Sequence, residues 1–211
     1  MIKLIIADDH PVVRQGIKQI LTEEADMKLM GEATNGRELM GMIRALPCDV
    51  VLLDLTMPGK DGLDVLHELR SSHPKLPALV LSIYSEDQCG PRVLKAGAAG
   101  YMSKETVPDE LIKAIRKVAS GRKYISPSLA EKLACDLGAH TEKPPHEFLS
   151  DREYQVMCMI ASGKTVGEIG QALSLSAKTI STYRARILEK MKMKTNAQLT
   201  FYAMQNGVVS L

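Results

Sequence analysis

The sequence predicts two folded parts: an α/β domain whose five-stranded parallel sheet is covered by helices on both faces, and a small all-helical domain after it. Three observations carry that expectation. At 211 residues the chain is too long for one small domain and suits two compact ones. Its first 120 residues alternate short, continuously apolar runs with amphipathic stretches. Strands that βαβ crossovers bury on both faces read as such runs. From Leu149 onward the apolar period is helical throughout.

Leu4-Ile5-Ile6 opens the pattern as a buried strand, and Val13, Ile17, Ile20 and Leu21 fall on one face of the helix that follows. Leu29 to Ala33 is the second strand, and Asn35 is placed to cap a helix with Leu39, Met40 and Ile43 inside. Val50-Val51-Leu52-Leu53 is the third strand, with Leu63, Leu66 and Leu69 marking its helix, and Ala78 to Leu81 is the fourth. The next helix contains Gly90-Pro91. Proline lacks an amide donor and suits only a first turn, so this helix is expected to begin near Pro91 and to be short or mobile. Gly100 to Met102 is a short fifth strand, and Val107 to Ser120 a helix with Leu111, Ile115 and Val118 inside. Five such units suit a flavodoxin-like doubly wound (βα)5 domain over residues 1–121.

Residues 122–148 break the pattern and read as a linker. Within it Ser126 caps a helix over 126–137 with Pro127 at its first position. Gly138 to His146 is polar and proline-bearing, hence expected to be mobile. Residues 149–211 then form four helices: Ser150 to Ser162, Val166 to Leu173, Ala177 to Met191 and Ala197 to Gln205. Gly167 and Gly170 each cost about 0.5–1 kcal/mol against Ala, which predicts a soft second helix. Thr195, Gln198 and Gly207 bracket the last one.

Composition narrows the class. At 45% hydrophobic and 25% charged the chain is an ordinary globular one. No apolar run approaches the roughly 18 residues of a membrane span, so no membrane partner is expected. Met1 leads directly into strand-like Lys3 to Ala7 without a basic and apolar leader, which predicts a cytoplasmic protein with no secretory signal. Cys48, Cys89, Cys135 and Cys158 lie far apart with no Cys-x-x-Cys and read as reduced thiols. Net charge is +2 but uneven: residues 1–120 carry 15 Lys+Arg against 17 Asp+Glu, and residues 149–211 carry 8 against 4. An acidic front and a basic tail suggest a cation-dependent or signalling site joined to something that meets a polyanion.

Ligands of an open parallel sheet bind outside the carboxyl ends of its strands. Asp8 and Asp9 follow the first strand, Asp54 ends the third, Ser82 ends the fourth and Lys104 follows the fifth. Crowded carboxylates repel and favour a hard divalent cation with oxygen ligands and retained waters, hence Mg²⁺. Asp8-Asp9 alone serves equally well as a turn or cap. The match at the other strand ends makes it a site.

Asp8-Asp9-His10, Asp54-Leu55-Thr56-Met57-Pro58-Gly59, Ser82 and Gly97 to Lys104 resemble the receiver domain of bacterial two-component response regulators. The resemblance implies that Asp54 takes a phosphoryl group from a sensor histidine kinase or a small phosphodonor. It implies Mg²⁺ on Asp9, Asp54 and the Thr56 backbone carbonyl, with Asp8 reaching it through water. Lys104 then pairs with a phosphoryl oxygen, Ser82 donates to another, and Tyr101 turns inward. Ile83 stands where this family usually has a small residue and is expected to narrow access to Asp54. Ser103-Lys104-Glu105 lacks the proline that follows the lysine in many receivers.

Leu149 to Glu153, Ile160 to Lys164, Glu168-Ile169 and Leu173 to Tyr183 resemble the LuxR-type helix-turn-helix of NarL/FixJ regulators, and Thr182-Tyr183-Arg184 is the variant of the GacA- and BvgA-like branch. Ile180, Ile187, Leu188 and Met191 form the inner stripe of its second helix. Lys178, Thr179, Ser181, Thr182, Arg184 and Arg186 are the expected contacts with double-stranded DNA. Such a helix uses charges on phosphates and its N-terminal part on base edges. In relatives the last helix supplies a dimer contact, here Tyr202 or Met204, although core packing suits them equally. The implied protein is a phosphorylation-dependent transcription regulator, active as a homodimer. It is not an enzyme beyond accepting and losing its own phosphoryl group. Two alternatives stand beside it. An Mg²⁺-dependent aspartyl-phosphate phosphohydrolase would need a second aspartate where Thr56 stands. A DNA-binding protein with a vestigial receiver fits poorly with an intact Asp8, Asp9, Asp54, Ser82 and Lys104. His10, His67, His73, His140 and His146 show no ligand spacing and receive no role, and the twelve methionines read as core filler.

Overall fold

All five apolar runs become strands: β1 (Ile2–Ala7), β2 (Met27–Ala33), β3 (Val50–Asp54), β4 (Ala78–Ser82) and β5 (Gly100–Ser103). Three of them run on into the polar residue at the carboxyl end, Asp54, Ser82 or Ser103. The helices between and after them are α1 (Pro11–Thr22), α2 (Gly36–Ala45), α3 (Gly62–Ser72), α4 (Glu86–Ala96), α5 (Pro108–Ala119) and α6 (Pro127–Gly138). The computed structural model describes residues 1–59, 62–83, 86–138, 144–173 and 175–209. It divides into two compact units, Met1–Lys132 and Leu133–Leu211.

In the first unit the strand order is β2-β1-β3-β4-β5, parallel throughout. Leu4, Ile5, Val50, Val51, Leu52, Leu53, Leu79 and Val80 are completely buried, as double-sided helix cover requires. Ala7 pairs with Leu53, Asp54 with Leu81 and Ser82 with Ser103, so the strand ends that carry polar residues lie level. Asn35 caps α2 by accepting from the Glu38 amide at 3.0 Å, and Glu38 in turn accepts from the amide and hydroxyl of Thr34 at 2.8 and 2.9 Å. Ser126 caps α6, accepting from the Leu129 amide at 3.2 Å.

Helix α4 corrects the expectation for Pro91. The helix starts at Glu86 and carries the proline in its interior. An interior proline removes one backbone bond and crowds the preceding turn, at a cost of about 3 kcal/mol. Burial offsets that cost. Cys89, Val93, Leu94 and Ala96 face the core, and Gly90 is covered by Leu129. The local rule is overridden by packing that the sequence does not display.

Beyond the end of α6, the described residues of the second unit hold a short 3-10 turn (Pro145–Phe148) and four helices: α7 (Asp151–Ala161), α8 (Val166–Ala172), α9 (Ala177–Lys190) and α10 (Asn196–Gln205). Ser150 with Glu153, Thr165 with Glu168 and Thr195 with Gln198 form reciprocal caps at α7, α8 and α10. Ser176 caps α9 through the Thr179 amide at 3.1 Å. Val156, Met157, Ile169, Leu173, Ile180, Ile187, Leu199 and Ala203 make the core. Of the expected mobile linker, residues 139–143 lie outside the described residues. Cys48, Cys89 and Cys158 are free thiols, while the Cys135 side chain lies outside the described ones. Among the described residues no helix is long and apolar enough to cross a membrane.

The two α8 glycines differ in kind. A Cβ at Gly170 would sit 2.7 Å from the Leu175 carbonyl oxygen, so the turn into α9 approaches α8 only because that side chain is missing. Gly167 faces open space, its nearest neighbour being Thr165 Oγ1 at 4.0 Å. Opposite signs follow. Gly170→Ala is expected to destabilise the second unit by about 1–3 kcal/mol through overpacking against backbone. Gly167→Ala is expected to stabilise it by about 0.5–1 kcal/mol through helix propensity. Urea titration of the full chain, followed by circular dichroism of the helical transition, reads both. A destabilised Gly167→Ala together with a neutral Gly170→Ala would reverse the assignment.

Candidate functional site

Burying the strands leaves their carboxyl ends as the place where, among the described residues of the first unit, buried charge gathers. Asp8 follows β1, and its amide donates to the Ala33 carbonyl at 3.1 Å, which holds it in line with β2. Asp54 closes β3. Asp8 and Asp54 are each 2% exposed and Ser82 is fully buried, whereas the Asp9 side chain is 31% exposed. Gly62 sets how close α3 comes to Asp54. A Cβ there would lie 2.6 Å from both the Asp54 carbonyl oxygen and Leu55 Cα, and the Gly62 amide donates to the Leu55 carbonyl at 3.1 Å.

Lys104 reaches into this pocket from the end of β5. Its Nζ lies 2.7 Å from Asp8 Oδ2 and 2.8 Å from Asp54 Oδ2, and its side chain is only 7% exposed. Its amide donates to the Ser82 carbonyl at 2.8 Å, tying the ends of β4 and β5 together. The Thr56 amide donates to Asp54 Oδ1 at 3.2 Å. Burial pushes the Asp54 carboxyl up to about 6; Lys104 opposes that rise and the neighbouring Asp8 charge adds to it. Desolvation wins. The pocket thus brings together Asp8, Asp9, Asp54, Thr56, Ser82 and Lys104, all named from sequence. Tyr101 lies in β5, fully buried. Ile83 is 63% exposed.

His10 was given no role from sequence, yet it belongs to the pocket. Its Nδ1 lies 2.9 Å from Asp9 Oδ1 and 3.1 Å from Asp8 Oδ1, and its amide donates to Asp8 Oδ1 at 2.8 Å. Ligand spacing was the wrong signal to look for. The informative one was position, two residues beyond a strand end that already carries carboxylates. Asp8, Asp9, His10 and Asp54 each offer one ligand atom, all within 4.8 Å of one another. Three carboxylates in so small a space suit a divalent cation with oxygen ligands.

A second charged surface lies on α9. Lys178, Ser181, Thr182 and Arg186 are exposed, while Ile180, Ile187, Leu188 and Met191 turn inward as expected. Other predicted contacts are engaged within the unit. Arg184 Nε donates to Asn196 Oδ1 at 2.6 Å, and the Thr179 hydroxyl lies 2.8 Å from that of Ser176. On α10 the Tyr202 hydroxyl meets His146 Nδ1 at 2.8 Å. The outward apolar pair on this helix is Phe201 and Met204, 69% and 39% exposed. Sequence reasoning missed Phe201 because the apolar period of α10 does not single it out.

Comparison with known proteins finds a family match in each unit. Residues 4–116 match the response regulator receiver domain, and residues 147–203 match the luxR family of bacterial regulatory proteins. The chain is 39% identical over 210 residues to the response regulator GacA of Pseudomonas aeruginosa, covering 99% of this chain and 98% of GacA. It is 37% identical over 209 residues to the response regulator UvrY of Escherichia coli K12, covering 99% and 96%. Among solved structures it is similar to RcsB of Salmonella enterica serovar Typhimurium bound to promoter rprA in the presence of phosphomimetic BeF3−. That match has a TM-score of 0.67 and 27% identity, covering 99% of this chain and all of that one.

The raised Asp54 carboxyl makes stability depend on pH with a definite sign. The folded chain holds this proton up to about pH 6, against an ordinary value of 3.8. Between those values the folded state binds more protons, so stability falls as pH rises and then levels off. Asp54→Asn removes the buried charge while Asp8 keeps Lys104 paired. In chelator, the variant is expected to exceed wild type by on the order of 2 kcal/mol at pH 8 and to match it near pH 4. Urea midpoints across that range check this. A wild type that is the more stable at pH 8 would mean that Lys104 attraction outweighs desolvation.

Proposed function

The chain belongs to the two-component response regulators that join a receiver domain to a LuxR-type DNA-binding domain, and from that premise we propose that Asp54 accepts a phosphoryl group and thereby controls binding to double-stranded DNA. The observation that carries the reading is the buried Asp54 carboxylate, held at the end of β3 with Lys104 Nζ 2.8 Å away and Asp8 and Asp9 beside it. A sensor histidine kinase or a small phosphodonor supplies the group. An Asp54 oxygen attacks phosphorus in line, the bond from phosphorus to the donor's nitrogen or oxygen breaks, and an acyl phosphate remains. Mg²⁺ fits the oxygen-rich donor set: Asp9, Asp54 and the Thr56 carbonyl would hold it, with Asp8 acting through water. When bound it offsets negative charge on the phosphoryl oxygens.

Lys104 then follows the charge from the Asp54 carboxylate to a phosphoryl oxygen as a point charge. Ser82, at the neighbouring strand end, donates a hydrogen bond to another. Tyr101 already lies inside, so the inward rotamer needs no new cavity. In the second unit, Lys178, Ser181, Thr182 and Arg186 form the surface that meets DNA. Arg184 orients the start of α10 through Asn196, and Thr179 completes the α9 cap. RcsB has been captured with promoter DNA and, elsewhere, as two dimers bound to two parallel DNAs. That likeness supports DNA and a second copy of this chain as partners, with Phe201 and Met204 as the apolar contact between copies. A cytoplasmic location accords with such partners.

Two experiments test the reading. With acetyl phosphate and Mg²⁺, intact mass should rise by one phosphoryl group in wild type and stay unchanged in Asp54→Asn or with chelator. Full modification of Asp54→Asn would move the site elsewhere. On DNA, Lys178→Ala should weaken binding across sequences alike and lower the salt slope by about one. A lost preference among sequences with an unchanged slope would place Lys178 on a base edge instead.

A further inference from the structure

We propose that His10 is a nitrogen donor to the cation of the acidic pocket, and that it opens this pocket to first-row transition metals such as Mn²⁺ and Co²⁺ as well as to Mg²⁺. This deepens the cation reading proposed above and rests on the pocket holding a divalent ion; phosphoryl transfer is not needed for it.

His10 is the residue before α1, where a side-chain oxygen ordinarily caps a helix. It makes no side-chain cap, and its backbone is extended at φ −87° and ψ 109°, the region that a following proline, here Pro11, imposes. Its amide donates to Asp8 Oδ1 at 2.8 Å, which folds the loop back onto the carboxylates. The ordinary use of such a ring, one hydrogen bond to a carboxylate, is met at Asp8, whose Oδ1 lies 3.1 Å from Nδ1. It does not account for Asp9. Asp9 Oδ1 lies 2.9 Å from the same nitrogen, yet this buried oxygen has no aligned hydrogen-bond partner. One Nδ1–H serves one oxygen, so the second is left beside the ring with its charge uncompensated.

A cation removes that conflict. Donors held about 2.1 Å from an ion lie about 3 Å apart on adjacent corners of an octahedron and about 4.2 Å apart on opposite ones. His10 Nδ1 stands 2.9 Å from Asp9 Oδ1, 3.1 Å from Asp8 Oδ1 and 3.9 Å from Asp54 Oδ2, which are spacings of that kind. To ligate, the ring moves its proton from Nδ1 to Nε2 and stays neutral. The side chain is 56% exposed, so water can meet the new N–H, and Asp8 Oδ1 keeps the bond from the His10 amide. The donor type then decides the ion. Mg²⁺ takes oxygen ligands and holds its waters, so a ring nitrogen adds little to its affinity. Imidazole suits the first-row transition metals, whose affinity for such mixed sites rises from Mn²⁺ through Co²⁺ and Ni²⁺.

The test uses the full chain as wild type, as His10→Phe and His10→Asn, which both lack the ring nitrogen, and as Asp9→Ala. Co²⁺ and Mg²⁺ are titrated by calorimetry with no phosphodonor present, and Asp9→Ala gives the background from histidines and thiols elsewhere. Above that background, the preference for Co²⁺ over Mg²⁺ should fall by about tenfold or more in both His10 variants. Pulsed electron paramagnetic resonance of bound Mn²⁺ should show a nitrogen coupling in wild type that both variants lose. A preserved preference overturns the proposal, and so does wild-type Mn²⁺ without the nitrogen coupling. An equal rise in both affinities also overturns it, because the ring would then be a competing cation and not a ligand. Wild type that binds neither ion above the Asp9→Ala background overturns this inference and the cation reading together. Nitrogen-coupled Mn²⁺ in a protein that acetyl phosphate leaves unmodified keeps the inference and fails the phosphoryl reading alone.

Discussion

The Lys104 ammonium, wedged between two buried carboxylates, is the contact on which the first unit's chemistry depends. An ion pair at contact yields on the order of 4 kcal/mol at the effective dielectric of a protein. Desolvation removes several kcal/mol per ion. Those magnitudes are close, and the raised Asp54 carboxyl says which one wins for that group. The pocket is therefore held near balance: enough attraction to gather three carboxylates, too little to satisfy them. A divalent cation fits this imbalance better than a lysine can, because it brings two charges and accepts several oxygens. The fold supplies the imbalance by burying the central strands β3 and β4 along their whole length, so that polar groups gather where those strands stop.

Close approach through glycine is the second constraint, and it recurs at four places where elements meet. Gly62 lets α3 start against the backbone that carries Asp54, Gly90 and Gly100 admit the segment after α5, and Gly170 admits the turn between α8 and α9. In each case the neighbour of the missing Cβ is backbone or a buried side chain. The local propensity lost at these positions is regained as contact between elements.

The strands were legible because continuous apolar runs have few other uses, and the caps were legible because Asn35, Ser126 and Thr195 act within three or four residues of themselves. The carboxylate set was legible because strand ends can be counted. What escaped was non-local. Nothing near Pro91 announces that Leu129 will cover the preceding residue and sustain a helix through the proline. Nothing near Tyr202 announces His146, which lies far back in the chain. His10 escaped for the opposite reason: its neighbours were so informative that it was weighed as a lone histidine rather than as part of their loop. Gly170 was read as softness because propensity scores a residue against solvent, not against the carbonyl of Leu175.

Charge movement at Asp54 has few places to go. In the unmodified protein Lys104 divides its attraction between Asp8 and Asp54, at nearly equal distances. In the proposed reading, conversion of the Asp54 carboxylate to an acyl phosphate sets the negative charge on phosphoryl oxygens farther from β3. The Asp8 carboxylate stays where β1 leaves it, fixed by Arg14 at its carbonyl and by the His10 amide at its side chain. Lys104 can follow the charge only by loosening its hold on Asp8, and its own amide is bound to the Ser82 carbonyl. The ammonium can move on its flexible stem. The backbone that carries it moves only together with the end of β4. That linkage turns a local change of charge into a displacement shared by two adjacent strand ends.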